Sequence, residues 1–322
     1  MTQSRPATTP KSAPLGSGLV QVSVVHEQAA ALMGELPAGV EVIVANPEAS
    51  DDVDVSGVDF WVPQFLSRGP EPALLARMPK LKVIQLITAG ADTWVRRVPN
   101  AITLCDGRGI HTVPTSEWTV TAILSYLHDF PHFARAQARG EWSRRVGETL
   151  PGKRVLIVGA GDIGEAVAAR LTPFGVTLTR VARRARPGVH GVDELPALLP
   201  HADIVVIIVP LTPETTGLVD REFLAAMPDG ALLVNAARGP IVDSDALTAE
   251  LTSGRLNAAL DVTDPEPLPP GHPWWELPNL LLTPHIGGAV RDVLPRAYAL
   301  VGDQIRRYTA GEPLINVVTE GY

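Results

Sequence analysis

The stretch RVLIVGAGDIGEAVAARL, residues 154–171, decides the fold of this chain. It starts as a continuous apolar run, turns through three glycines and continues with the spacing of a helix. In a strand–turn–helix context, Gly159 allows the tight turn, Gly161 lets a pyrophosphate approach the backbone, and Gly164 lets the helix pack on the sheet. The helix N-terminus adds N–H groups and a positive dipole end. The stretch therefore predicts dinucleotide binding; the alternative is an ordinary βα turn that uses three glycines.

Apolar runs alternate with helical patterns on both sides of this stretch, which predicts repeated βα units and parallel, doubly wound sheets. Before it, strands are predicted at Leu19–Val25, Val40–Ala45, Asp59–Val62, Lys82–Ile87 and Ile102–Cys105. From it onward, they are predicted at Arg154–Val158, Val176–Val181, Asp203–Val209, Ala231–Asn235, Asn257–Val262 and Leu280–Thr283. The later runs are nearly continuous in apolar residues, as expected for strands that are buried on both faces.

Two long helical patterns mark where the chain passes between domains. One covers Glu117–Ala138 and the other covers Asp292–Ala310, and both are long enough to cross from one domain to another. We therefore predict a dinucleotide-binding domain at residues 119–287. It is inserted into a substrate domain that is built from residues 19–118 and 288–322.

Composition limits the partners of this chain. Its 322 residues carry 27 Lys and Arg against 35 Asp and Glu, a net charge of −8, which argues against nucleic acid or an anionic membrane as the main partner. The single cysteine, Cys105, excludes an internal disulfide and a cysteine-based zinc site, and we predict no metal. Residues 1–18 are rich in Ser, Thr, Pro and Gly, and they predict a disordered tail without the apolar core of a signal peptide. We therefore expect a cytoplasmic protein without membrane segments.

The residues after the second strand of the predicted domain point to the form of the cofactor. This strand ends at Ala182, where an acidic residue would bind both ribose hydroxyls and repel a 2′-phosphate. Arg183, Arg184 and Arg186 follow instead, and guanidinium groups suit a phosphate dianion. The pattern favours NADP, with NAD possible if this is simply a solvated basic loop.

Polar side chains that follow the later strands form a chemically coherent set. Arg238, Glu266 and His285 all come after strands whose carboxyl ends share one sheet edge. Hydride transfer to or from a 2-hydroxy acid needs an acid/base, and His suits neutral pH. It also needs a carboxylate that orients the imidazole and a cation that binds the substrate carboxylate. We assign these roles to His285, Glu266 and Arg238 in that order, although each residue alone has an ordinary structural explanation.

With these motifs in place, the sequence resembles the D-2-hydroxyacid dehydrogenase family, which includes glyoxylate/hydroxypyruvate reductases. The resemblance is carried by the glycine motif together with VPLTPET (209–215), VNAARG (234–239), ALDV (259–262) with EPLP (266–269), and LLLTPHIGG (280–288). It implies an α/β fold of two doubly wound parallel-sheet domains, with a Rossmann cofactor domain inserted into a flavodoxin-like substrate domain. It also implies that Asp261 contacts the nicotinamide carboxamide.

The resemblance extends to a full set of site residues. The implied catalytic residues are Arg238, Glu266 and His285. The residues expected to bind cofactor are Gly159, Gly161, Asp162, Ile163, Gly164, Arg183, Arg184, Pro210, Thr215, Ala236, Ala237, Arg238, Asp261, His285 and Gly288. The substrate carboxylate is expected at Ala89, Gly90 and Ala91 with Arg238, and the two domains are expected to close over the substrate.

The predicted function is reduction of a small 2-oxo acid to a 2-hydroxy acid, and two alternatives stay open. One is a dinucleotide-sensing binding protein of the corepressor kind; the other is an oxidoreductase on the same scaffold that acts on phosphite. Formate is disfavoured, since formate dehydrogenases of this fold would carry an amide in place of Glu266. A homodimer is expected through Val120–Phe133, whose apolar side chains could equally pack within the chain.

Overall fold

The computed structural model describes residues 19–50, 52–65, 67 and 69–319. The chain divides into two compact units: the first runs to Ile110 and resumes at Asp292, and the second is His111–Arg291. The second unit therefore interrupts the first in sequence, and residues 111–118 and 288–291 group with the second unit. The tail predicted at residues 1–18 lies outside the described residues.

Short strands and helices alternate along the whole described chain. The strands are β1 (Val20–Val24), β2 (Val40–Val44), β3 (Val58–Trp61), β4 (Val83–Gln85), β5 (Thr103–Cys105), β6 (Arg154–Val158), β7 (Thr177–Ala182), β8 (His190–Gly191), β9 (Ile204–Ile207), β10 (Leu232–Asn235), β11 (Asn257–Leu260) and β12 (Leu280–Leu282). The α-helices are α1 (Ala29–Leu32), α2 (Pro72–Ala76), α3 (Thr112–Leu127), α4 (Phe130–Ala138), α5 (Asp162–Leu171), α6 (Leu195–Leu198), α7 (Arg221–Ala226), α8 (Ser244–Ser253) and α9 (Val293–Ala310). None of the helices among these residues is long and apolar enough to cross a membrane.

The first unit is built on a five-stranded parallel sheet in the order β2-β1-β3-β4-β5. This is the flavodoxin-like order of doubly wound folds. Helix α9, from the end of the chain, belongs to the same core: Tyr298, Val301 and Ile305 are fully buried with Val22 and Phe60 of the sheet. The last helix is thus part of the first unit because its apolar face is needed to cover this sheet.

The second unit holds a seven-stranded parallel sheet in the order β12-β11-β10-β9-β6-β7-β8. Counted from β6, this is the dinucleotide-binding order 3-2-1-4-5-6 with one more strand at the end. Alternate residues of β6 enter opposite cores: Val155 and Ile157 pack on one face, and Leu156 and Val158 on the other. A strand that buries both faces explains the unbroken apolar run in the sequence. The predicted α/β class, with two doubly wound parallel sheets, is confirmed.

One local prediction was wrong, and one strand was missed. The continuous helix predicted at Glu117–Ala138 is instead α3 and α4, because Asp129 adopts a left-handed φ of 57° and Pro131 lies in the first turn of α4. The strand β8 was missed, since it has only two residues and exists through its pairing with the end of β7. The predicted strands are otherwise present, with bounds that differ by one or two residues.

Candidate active site

The three residues assigned to catalysis follow three adjacent strands of the second unit. β10, β11 and β12 are parallel neighbours, so their carboxyl ends lie at one edge of the sheet. Arg238, Glu266 and His285 each follow one of these strands, within six residues of its end. The fold thus delivers a cation, a carboxylate and an imidazole to the edge where open α/β sheets bind ligands.

His285 and Glu266 are in direct contact. The Nδ1 atom of His285 lies 2.6 Å from Oε1 of Glu266, and both side chains keep part of their surface in contact with solvent. A carboxylate only accepts, so this contact places the proton of the imidazole on Nδ1. Nε2 is then the nitrogen through which His285 can exchange a proton with a substrate.

The turn that carries Arg238 is shaped by Asn235, a residue to which sequence reasoning gave no role. Asn235 is buried; its Oδ1 accepts from the N–H of Ala237 at 3.0 Å, and its Nδ2 donates to the carbonyl of Arg238 at 3.0 Å. Nη1 of Arg238 donates to the carbonyl of Ala237 at 2.8 Å. Ala236 and Ala237 therefore follow β10 in a fixed turn. The sequence did carry a signal for this role, because Asn235 ends a strand three residues before Arg238 and such amides often bond to nearby backbone.

The glycine turn after β6 fits a pyrophosphate. A Cβ added to Gly159, whose φ is 120°, would overlap the carbonyl oxygen of Ile208, and one added to Gly164 would overlap that of Gly159. At both positions, therefore, the packing of the protein itself requires glycine. At Gly161, in contrast, no atom lies within 4 Å of an added Cβ, so the backbone is open to a ligand. Helix α5 begins directly after it, with Asp162 and Ile163 in the first turn. The first N–H groups of a helix have no intrahelical partner, which suits a phosphate.

The basic segment after β7 divides into two parts. Arg183 and Arg184 are exposed directly after Ala182, and their contact with a 2′-phosphate stays a prediction. Arg186 belongs to the glycine turn: its Nη2 donates to the carbonyl of Ala160 at 2.7 Å. The structure therefore separates Arg186, which supports the turn, from the two arginines that precede it.

The Pro210–Thr215 segment, expected to line the cofactor, is organised by one hydroxyl. Thr215 Oγ1 donates to the carbonyl of Pro210 at 2.6 Å and accepts from the N–H of Thr212 at 2.8 Å. The neighbouring Glu214 has a lowered pKa, mainly because of the Thr212 hydroxyl and in smaller part because of the charge of Arg183. Two segments that the sequence assigned to the cofactor are therefore close enough to interact.

Asp261 lies beneath the residues that surround His285. Its carboxylate is buried and accepts from the N–H groups of Ile286 at 2.9 Å and Gly287 at 2.7 Å. Gly288 follows, and a Cβ added there would lie 2.7 Å from Nδ1 of His111. The expected contact of Asp261 with a carboxamide remains a prediction, whereas its part in shaping this loop is visible directly.

The residues expected to bind the substrate carboxylate lie in the first unit. Ala89, Gly90 and Ala91 follow β4; the hydroxyl of Thr88 donates to the carbonyl of Gly90 at 3.0 Å, and Ala91 is buried. The loop continues into a turn in which the main-chain N–H of Trp94 donates to the carbonyl of Ala91 at 2.9 Å. Over the described part of the chain, no group of three or more His, Cys, Asp and Glu is arranged to hold a metal ion.

A glycine turn that opens a helix, together with Arg, Glu and His at the same sheet edge, is typical of an oxidoreductase that uses a nicotinamide dinucleotide. The family model for the NAD binding domain of the D-isomer specific 2-hydroxyacid dehydrogenases matches residues 120–287, more than half of the chain. The chain belongs to this family, as its sequence motifs implied, and it is an NAD(P)-dependent enzyme of the class that acts on CH–OH groups.

Known proteins are similar over most of the chain. The glyoxylate reductase of Thermofilum pendens is 36% identical over 251 residues, which is 73% of this chain and 74% of that protein. The mitochondrial formate dehydrogenase of Hordeum vulgare is 36% identical over 265 residues, 76% of this chain and 69% of that protein. The D-isomer specific 2-hydroxyacid dehydrogenase of Xanthobacter autotrophicus Py2, solved in complex with NADPH and MES, superposes with a TM-score of 0.81 at 32% identity and covers 94% of this chain and 99% of that chain.

Proposed function

We propose that this chain is an NADP(H)-preferring D-2-hydroxyacid dehydrogenase that works mainly as a reductase of small 2-oxo acids. The observation that carries the proposal is the 2.6 Å contact between His285 Nδ1 and Glu266 Oε1. It leaves Nε2 of an oriented imidazole for proton exchange at the sheet edge, where Arg238 also lies.

Each residue of the set has a defined task in this reaction. The bound dinucleotide supplies or accepts the hydride at the substrate carbon. His285 gives a proton through Nε2 to the carbonyl oxygen during reduction and takes it back during oxidation. Glu266 holds the ring in one tautomer and one orientation. Arg238 binds the substrate carboxylate and stabilises charge on the carbonyl oxygen.

The preference for NADP follows from the end of β7. Ala182 has no acceptor for ribose hydroxyls and no charge to repel a phosphate, and Arg183 and Arg184 are exposed directly after it. Guanidinium groups recognise phosphate through charge-assisted, paired hydrogen bonds. The Xanthobacter relative was solved with NADPH, which supports the same choice here.

A steady-state panel tests the proposal. Purified protein should oxidise NADPH with glyoxylate, hydroxypyruvate, pyruvate or a longer 2-oxo acid, with a higher kcat/KM than for NADH. Absence of turnover with every acid would overturn the assignment and favour a dinucleotide-sensing binding protein. Reduction of NADP by phosphite, without turnover of any 2-oxo acid, would favour the phosphite alternative. Formate belongs in the panel because of the similarity to a formate dehydrogenase, and the carboxylate of Glu266 leads us to expect no activity with it.

A substitution of the acid/base identifies its role. His285→Asn should lower kcat by several orders of magnitude and leave the Kd for NADPH close to that of wild type, because the imidazole is needed in the chemical step. His201→Asn is the control and should retain activity. This exposed histidine comes just before β9, at the amino end of the strand, whereas the catalytic set follows the carboxyl ends. Comparable kcat values for wild type and His285→Asn would show that another group supplies the proton.

We further propose a homodimer, whose contact includes the segment after α4 as well as the exposed part of the segment that the sequence suggested. Within the suggested segment, Ala122, Ile123 and Leu127 are buried in the second unit, whereas Phe130 is 62% exposed. Trp142 and Val146, in the segment between α4 and β6, are 91% and 98% exposed. Apolar side chains that are this exposed mark an interaction surface, and a second copy of the chain would cover them. Light scattering should give twice the chain mass, and Trp142→Glu should give the monomer; a monomeric wild type contradicts the proposal.

A further inference from the structure

Three consecutive N–H groups of the loop that carries His285 donate to one residue, Asp261. The N–H of His285 donates to the main-chain oxygen of Asp261 at 2.7 Å. The N–H groups of Ile286 and Gly287 donate to its two carboxylate oxygens at 2.9 and 2.7 Å. Pro284, just before His285, has no N–H and so donates no main-chain hydrogen bond. The position of the imidazole therefore depends on how firmly Asp261 itself is held.

His285 needs this support because its backbone is strained. Its φ is 54°, in the left-handed region that side chains other than glycine rarely adopt. Such a conformation persists only where surrounding interactions fix it. The bonds to Asp261 are these interactions, and they place the ring of His285 beside Glu266.

Asp261 is in turn held by a chain of two hydrogen bonds that ends on helix α3. The hydroxyl of Thr283 lies 2.6 Å from Oδ1 of Asp261, and Nε1 of Trp118 lies 3.0 Å from the same hydroxyl. The indole N–H can only donate and an ionised carboxylate can only accept. The hydroxyl therefore accepts from Trp118 and donates to Asp261, so the direction of both bonds is fixed.

We propose that Trp118 and Thr283 are positioning residues for the reaction, which act through Asp261 on the placement of His285. The role of His285 in this statement rests on the proposed function. Asp261 is only 4% exposed, and a buried carboxylate that loses a donor becomes less well held. Removing the hydrogen bonds that run from Trp118 through Thr283 to Asp261 should therefore loosen the loop that carries His285. The imidazole would then leave its productive position, with little effect on the glycine turn.

Conservative substitutions at Thr283 provide the test. Thr283→Val keeps the shape and removes the hydroxyl, so kcat for the reduction of a 2-oxo acid should fall about tenfold, the scale of one hydrogen bond to a charged group. Thr283→Ser restores the hydroxyl and should recover most of the rate. Trp118→Phe should lower kcat in the same direction by a smaller factor. The Kd for NADPH should change less than kcat in all three variants.

The chain also offers a matched control. Thr248 in α8 accepts a hydrogen bond from Nε1 of Trp274 at 2.8 Å, which is the same pair of groups away from the His285 loop. Thr248→Val should lower thermal stability and leave kcat close to wild type. Equal losses of kcat in Thr248→Val and Thr283→Val would assign the effect of Thr283 to general stability and overturn the proposal.

Hydrogen exchange separates this inference from the proposed function. In the full-length protein, peptides that contain Ile286 and Gly287 should exchange faster in Thr283→Val than in wild type, and Thr283→Ser should restore the protection. This readout needs no substrate. If wild type shows no turnover but exchange responds in this way, the proposed function fails and the positioning chain stands. Unchanged exchange in folded Thr283→Val overturns the positioning chain, whatever the activity.

Discussion

Gly239 lies against the main chain of Thr263 so closely that a Cβ added to the glycine would overlap the carbonyl oxygen of that threonine. Gly239 follows Arg238, and Thr263 begins the segment that leads to Glu266. A second link joins the same two regions, since the hydroxyl of Ser244 donates to the carbonyl of Asp264 at 3.0 Å. The arginine turn and the glutamate segment are therefore packed together as one piece.

Gly239→Ala should separate these two segments. Because the added methyl group must push backbone away from backbone, we expect kcat/KM for a 2-oxo acid to fall at least about tenfold, with a smaller change in NADPH affinity. Steady-state kinetics and a fluorescence titration with NADPH measure the two effects. Gly230→Ala is the control: it meets open space at a φ of 80°, so it should cost stability but not activity. Wild-type kcat/KM in Gly239→Ala would show that the contact is dispensable.

Arg186 and Arg184 should differ in which cofactor they affect. Arg186→Ala removes the 2.7 Å bond to the carbonyl of Ala160 in the glycine turn, which NADH and NADPH share. Both Kd values should therefore rise by similar factors of about ten, the scale of one charge-assisted bond. Arg184→Ala should weaken NADPH by a similar factor and leave NADH unchanged, because only NADPH has the 2′-phosphate.

Fluorescence titration with both dinucleotides distinguishes these cases. Arg221→Ala, at an exposed arginine of α7, controls for the loss of one positive charge and should leave both Kd values unchanged. An effect of Arg186→Ala confined to NADPH would instead make Arg186 a third phosphate ligand.

Much of the fold could be predicted because its signals are local. Nearly continuous apolar runs marked the strands of the second unit, and three glycines in a strand–turn–helix context marked the dinucleotide turn. The carboxyl ends of the strands also placed Arg238, Glu266 and His285 at one edge without further information. These inferences need only the period of the pattern and the parallel direction of the strands.

The residues that support the site were harder to predict, because their partners are distant in the sequence. The bond from Trp118 to Thr283 joins residues that are 165 positions apart, and neither residue type indicates it. Asp261 was assigned through resemblance to a contact with cofactor, and its hold on the His285 loop became visible only in three dimensions. The break between α3 and α4 carried a local signal, Pro131, which the apolar pattern outweighed.

Ala182→Asp should reverse the cofactor preference. A carboxylate at the end of β7 would accept bonds from the ribose hydroxyls of NADH and repel the 2′-phosphate of NADPH. The ratio of kcat/KM for NADPH to that for NADH should fall at least about tenfold, since new ribose hydrogen bonds favour NADH while the repulsion of the 2′-phosphate disfavours NADPH. Ala182→Asn is the matched control, of similar size without the charge, and should shift the ratio much less. An unchanged ratio in Ala182→Asp would place the ribose elsewhere.

The pair formed by Asp203 and Arg154 predicts a pH-dependent part of the stability. Asp203 accepts from Nη2, Nε and the main-chain N–H of Arg154 at 2.8, 3.1 and 2.7 Å. The side-chain bond to Arg154, opposed by partial burial, lowers the pKa of Asp203 below its ordinary value of 3.8. A lowered pKa in the folded state means that the unfolded state takes up the proton first as the pH falls. The stabilisation is therefore complete well above pH 3.8 and is lost as the pH falls through the lower, folded pKa.

Urea unfolding of wild type and Asp203→Asn should show this dependence. The difference in unfolding free energy should be constant between about pH 7 and pH 5 and should shrink below about pH 4, as the carboxylate of wild type becomes protonated. The difference should be modest, because the Asp203 side chain keeps 30% of its surface exposed and such pairs are screened. In an Arg154→Gln background, Asp203→Asn should have a smaller effect at pH 7, since the guanidinium is gone and only the main-chain N–H of residue 154 still donates to Asp203. A difference that stays the same at pH 7 and pH 3.5 would mean that the neutral carboxyl group supports the fold as well as the carboxylate does.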